Sequence, residues 1–111
     1  MPTPVPMRPR ERYGHHGPGG FGDAELLALV IGTGTPRRSA AEIAAGLLAR
    51  FGSLDALAHS HPVQLAMEDG VGPARAVRLH AALEVGRRSL RSPDRAVGAV
   101  HDATDAHELR W

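Results

Sequence analysis

The stretch Leu65-Ala66-Met67-Glu68-Asp69-Gly70-Val71-Gly72-Pro73-Ala74-Arg75-Ala76-Val77-Arg78-Leu79 decides how the chain is read. It predicts a short helix ending near Met67, a tight turn over residues 68–72, and a long helix opened by Pro73, a residue tolerated in a first helical turn. Glycines at 70 and 72 permit positive φ and leave no side chain between the turn and an approaching ligand. Val71 between them is expected to point inward and pin the turn. Ala76, Val77, Leu79, Leu83 and Val85 recur near 3.6-residue spacing, with Arg75, Arg78, Arg87 and Arg88 on the other sides. The helix should therefore run to about Arg91, where Ser92-Pro93 stops it.

Working toward the N-terminus, Ala24, Leu26, Leu27, Leu29, Val30 and Ile31 predict a short helix from Asp23, ended by Gly32. It is apolar almost all round and so is expected to be buried. Thr33-Gly34-Thr35-Pro36-Arg37-Arg38 reads as a polar turn. Ser39-Ala40-Ala41-Glu42 then has capping-box spacing. The helix that follows reaches Phe51, with Ile43, Leu47 and Leu48 on one face and Gly52 at its C-terminal stop. Ser53 caps a short helix over 54–58, and Pro62 opens another. Residues 1–22, with Gly17-Pro18-Gly19-Gly20, read as a flexible Pro/Gly-rich arm with little regular structure, and 92–111 as an acidic tail with at most a weak helix. The expected fold is all-α: one domain over 23–91, a small bundle of about five short helices. Such a unit buries only about 60% of its unfolded surface, so modest stability is expected.

Composition agrees with this and narrows the function. A chain of 111 residues holds one domain. Hydrophobic residues make up 42% and aromatics 4%, so Leu, Ala and Val must fill the core. Without cysteine there is no disulfide framework, thiolate-bound zinc or thiol nucleophile. All 13 permanent cations are arginines, whose planar forks suit phosphate or carboxylate. The net charge of +1 hides an uneven distribution: residues 70–91 carry +4, residues 92–111 carry −2. The longest apolar run, Leu26 to Ile31, is far short of the ~20 residues of a membrane span. Met1-Pro2-Thr3-Pro4-Val5-Pro6 lacks the apolar region of a secretory signal, so a cytoplasmic protein is expected. His15-His16, His59-x-His61, and His101 with His107 do not converge as a metal site requires; solvent-facing and capping roles are expected of them, and packing of His80. No metal, cofactor or catalytic residue is expected, and the chain is not read as an enzyme.

The 65–79 pattern looks like a helix-hairpin-helix. The long helix begins with free backbone N–H groups and the positive end of its dipole, a seat for a phosphate. The expected DNA-phosphate contacts are Gly70, Val71, Gly72, Pro73, Ala74, Arg75 and Arg78, which would position the protein on DNA without reading sequence. A degenerate echo lies 38 residues earlier, where Leu27-Ala28-Leu29-Val30-Ile31 precedes Gly32-Thr33-Gly34. Gly32, Thr33, Gly34, Arg37 and Arg38 are its second-rank candidates, together with Arg87 and Arg88. Gly32-Thr33-Gly34-Thr35 does not read as a nucleotide loop, since no strand precedes it and no lysine follows. Three or four phosphate contacts predict a log–log salt slope near −3.

Six blocks in series resemble the N-terminal helix-hairpin-helix region of the bacterial RadC-like family, over about residues 5–91. They are Arg8-Pro9-Arg10-Glu11-Arg12, Asp23-Ala24-Glu25-Leu26-Leu27-Ala28, Gly32-Thr33-Gly34-Thr35, Arg50-Phe51-Gly52-Ser53-Leu54, Gly70-Val71-Gly72-Pro73-Ala74-Arg75-Ala76 and Ala81-Ala82-Leu83-Glu84-Val85-Gly86-Arg87-Arg88. The resemblance implies a small helical DNA-binding module of a family historically labelled DNA repair. Longer members resemble this region followed by a metalloprotease-like domain with a glutamate, a His-x-His-Pro-Ser-Gly block and an aspartate holding zinc. His101-Asp102 and Asp105-x-His107 do not match that spacing, so no catalytic residue carries over. Two further departures concern the site and the arm. Glu68-Asp69 stands where relatives usually have an apolar and then a neutral or basic residue, and each carboxylate beside a phosphate would oppose it by ~1 kcal/mol unless turned away. Gly22 replaces a capping serine. Two other readings stay open: a helical scaffold for a protein partner, and an accessory part of a split metalloprotease-like protein.

Overall fold

Six α-helices make up residues 7–91, the part described in the computed structural model: α1 (Pro9–His16), α2 (Asp23–Ile31), α3 (Ala40–Phe51), α4 (Leu54–His59), α5 (Pro62–Ala66) and α6 (Gly72–Arg91). The expectations for 92–111 lie outside the described residues. Local rules set most boundaries. Ser39 Oγ accepts from the Glu42 N–H at 3.0 Å while Glu42 Oε1 accepts from the Ser39 N–H at 2.8 Å, a reciprocal cap on α3. Ser53 caps α4 through the Ala56 N–H, His61 caps α5 through the Val63 N–H, and Gly32 and Gly52 close α2 and α3.

The core is aliphatic throughout: Leu27, Ile31, Ile43, Ala44, Leu47, Leu57, Leu65, Val71, Ala76 and Leu79 are buried, with Leu48, Phe51, Leu54 and Leu83 packed at its edge. In it α2 lies on α3, and α4 and α5 lie on α6. Small aliphatic side chains let short helices approach closely and interdigitate.

Three expectations change. Residues 9–16 of the supposed arm form helix α1. Pro9 sits at its first position and the Arg8 N–H donates to Glu11 Oε1 at 3.2 Å. Long-range contacts then dock it: Arg12 bonds Glu25 at 2.8 Å and stacks 4.2 Å above the Phe21 ring, which Tyr13 meets edge-on. Second, α2 is buried on one face only. Val30 is exposed, and it lines a cleft with Leu29 beneath Arg10 and Tyr13. Third, Val77 and Val85 lie outside the core, 58% and 68% exposed. The buried rhythm of α6 runs through Ala76, Leu79 and Leu83 instead.

Candidate nucleic-acid interface

The turn between α5 and α6 is built by its own backbone. The Glu68 N–H donates to Leu65 O at 3.1 Å and the Val71 N–H to Glu68 O at 3.0 Å. Gly70 and Gly72 have φ of 93° and 67°, in the region where only glycine is at ease. Val71 is buried among core residues, as its position between the glycines implied. Gly72 faces open space, and Pro73 and Ala74 are exposed. Since Pro73 has no N–H, the open donors of the first turn of α6 belong to Gly72 and Ala74. No acidic residue stands in that turn. Gly70 differs from its expected role, because a side chain there would point at Ile43 and not at a ligand.

The first turn, around Gly32-Thr33-Gly34, is brought beside the second. Arg75 donates to Thr33 O at 2.7 Å, and Arg38 donates to Asp69 O at 2.7 Å. The two turns are not equivalent, however. The Thr35 N–H bonds Arg38 O at 2.7 Å, and Thr35 Oγ1 accepts from the N–H groups of Arg37 and Arg38. The reciprocal Ser39–Glu42 cap uses two more donors. A side-chain hydroxyl followed by a proline turn is a known local competitor for backbone donors, and this role of Thr35 was readable from the sequence and missed.

The arginines divide sharply. Arg38, with its side chain 22% exposed, also bonds Glu68 Oε2 at 2.9 Å and Glu42 O at 3.0 Å. Arg50 reaches the other carboxylate oxygen of Glu68 at 3.3 Å. Glu68 is therefore turned inward, 12% exposed and countered by two guanidinium groups, while Asp69 stays at the surface. Arg87 and Arg88 both pair with Glu84, and at 1.5 Å per residue they stand ~20 Å along α6 from Pro73. They are not part of the surface formed by the turns. Arg37 and Arg78 are exposed and have no ion pair among the described residues.

Among the described residues no three His, Asp or Glu side chains converge. His59 Nδ1 lies 2.8 Å from Asp55 O, and His61 caps α5. Hydrogen bonds from Arg88 and then Arg87 hold the Glu84 carboxyl below its ordinary pKa. A depressed carboxyl favours the folded state above the ordinary range and loses that contribution as pH falls through the lowered value. Carboxyl NMR should therefore place the Glu84 midpoint below that of an exposed glutamate. The hydrogen bond that Arg88 Nε donates to Glu84 Oε2 is the largest cause, ahead of the one from Arg87, so Arg88→Gln should move the midpoint part of the way back up.

The family model for the UPF0758 N-terminal region matches residues 2–77. A UPF0758 protein of Ralstonia pickettii is 47% identical over 88 residues, which cover 79% of this chain and 39% of the relative. One from Carboxydothermus hydrogenoformans is 49% identical over 85 residues, 77% and 38% of the two chains, and one from Desulforudis audaxviator 39% identical over 104, 85% and 45%. No solved structure matches. The chain spans less than half the length of these curated relatives. With two thirds of its residues inside the family model, the chain belongs to the UPF0758 family, the RadC-like proteins.

Proposed function

We propose that the α5–α6 hairpin is a helix-hairpin-helix that binds the phosphate backbone of DNA without reading sequence. The observation that carries this reading is the start of α6. There the Gly72 and Ala74 N–H groups stand open at the positive end of a 20-residue helix, with open space in front of Gly72 and with Arg78, which has no ion pair among the described residues, one turn further on. A phosphate needs donors and positive potential, and this surface offers both. The inward turn of Glu68 removes one of the two carboxylates that would oppose an anion. Arg37 extends the cationic edge from the first turn. The RadC-like resemblance suggests DNA repair or recombination as the setting.

The test is a titration of labelled duplex, single-stranded and branched DNA at several salt concentrations. The expected log–log slope lies between about −2 and −3. Arg78→Gln should weaken binding uniformly across sequences and lower the slope by about 0.9. Absence of salt-dependent affinity for every DNA form would overturn the proposal.

A second reading, a scaffold for a protein partner, is favoured by Val77, Val85 and Leu90, exposed along α6 at 58%, 68% and 81%. Arg78→Glu separates the two: it abolishes DNA binding under the first reading and leaves partner binding largely intact under the second. Arg75 serves this purpose less well, because reversing it also removes the bond to Thr33.

A further inference from the structure

We infer that Arg38 and Arg75 are positioning residues that brace the two glycine turns into one rigid surface, leaving phosphate contact to Arg37 and Arg78. The inference rests on the DNA-backbone reading for its binding consequence, but its structural half stands alone.

The bonds run in both directions between the turns. Arg75 leaves the second hairpin and donates to Thr33 O, 42 positions back. Arg38 leaves the first and donates to Asp69 O and Glu68 Oε2, about 30 positions ahead, while its other terminal nitrogen holds Glu42 O on α3. Arg50 fixes the far side of the Glu68 carboxylate. One guanidinium thus ties three acceptors on two elements, a task suited to a planar fork and beyond a lysine. The pair lies across α3 at Gly46, where an added methyl would stand 2.5 Å from both Arg38 Nη2 and Glu68 Oε2. A glycine in the middle of a helix is unfavourable against alanine, and here it gives the brace its passage. Arg38, holding a carboxylate and two carbonyls, has few donors left for a phosphate. Arg75 keeps other donors, but its Nη1 bond to Thr33 O ties its guanidinium to the first turn, whereas Arg37 and Arg78 are exposed and make no ion pair among the described residues.

Arg38, Arg75, Arg37 and Arg78 would each be changed to Gln and to Lys in the full chain, with amide NMR shifts and the salt slope on duplex DNA as readouts. Arg75→Gln should move the amides of residues 33–35, and Arg38→Gln those of 68–72; affinity should fall in both with the slope unchanged. Arg38→Lys keeps the charge but not the fork, so it should behave like Arg38→Gln. Arg37→Gln and Arg78→Gln should each lower the slope by about 0.9, with Lys restoring it and the opposite turn undisturbed. A slope loss of about 0.9 in Arg38→Gln or Arg75→Gln, with unmoved amides across the gap, would overturn the inference. If the unmodified chain shows no salt-dependent affinity, the binding reading falls while the amide shifts still decide the brace. Should Arg38→Gln fail to fold, Arg75→Gln, which loses a single bond, decides it.

Discussion

Gly34→Ala should lower the thermal midpoint by about 15 °C or more. The glycine packs against backbone, not side chains: a Cβ there would run into Arg38 O and stand 2.8 Å from the Ala40 N and Ser39 C atoms. Side chains relieve a clash by changing rotamer, but these atoms belong to the Thr35–Arg38 turn and the first residues of α3. Making room means opening the 2.7 Å bond from the Thr35 N–H to Arg38 O, and with it the Ser39 cap. Overpacking costs about 1–3 kcal/mol, more when backbone must move, and each turn hydrogen bond lost adds about 1. A total near 3 kcal/mol shifts the midpoint of a domain this size by ~12–24 °C. Melting followed by circular dichroism would measure it. A midpoint within a few degrees of the unmodified chain would mean that the first turn is not held against α3 as described.

The same turn shows where sequence reasoning ends. Ser39 with Glu42, Ser53, Pro62, Pro73, Gly32 and Gly52 act through neighbours three or four positions away, and so the bounds of α2 to α6 were readable almost to the residue. Helix α1 was not, because what docks it is Arg12 meeting Glu25 and Phe21, contacts that a Gly- and His-rich segment does not announce. On α6, apolar residues occur on two faces, Ala76-Leu79-Leu83 and Val77-Val85. Periodicity alone does not say which face meets the core when the helix is longer than the core it covers. The candidate site was legible as a motif and not as a set of roles. Arg38, Arg75 and Arg78 look alike in the sequence, and only partners 30 or more positions away separate the two bound to protein groups from the one facing solvent.

Gly70 and Gly72 looked interchangeable in sequence, and their alanine variants should fail in opposite ways. Gly70→Ala places a side chain at φ +93°, a strain of about 1–2 kcal/mol. Its methyl would also lie 2.8 Å from Cδ1 and 3.1 Å from Cγ1 of Ile43. Ile43 is fully buried, so it has no space to yield into, and overpacking adds a similar amount. The sum, about 3 kcal/mol, should lower the thermal midpoint by roughly 15 °C. Gly72→Ala meets nothing within 4 Å and bears only the strain of its own positive φ, about 1 kcal/mol. It should fold and melt within about 4–8 °C of the unmodified chain. On DNA the order reverses. A methyl at Gly72 stands beside the open Gly72 and Ala74 N–H groups and holds a phosphate away from them, so affinity should fall about tenfold, a loss of about 1.4 kcal/mol. The salt slope should stay where it was, since no cation has been removed. Gly70→Ala, measured at a temperature where it is still folded, should bind almost as the unmodified chain does, because its missing side chain faces Ile43. Unimpaired DNA binding by a folded Gly72→Ala protein would show that no phosphate sits at the start of α6, and the hairpin would then be a structural corner of the core and nothing more.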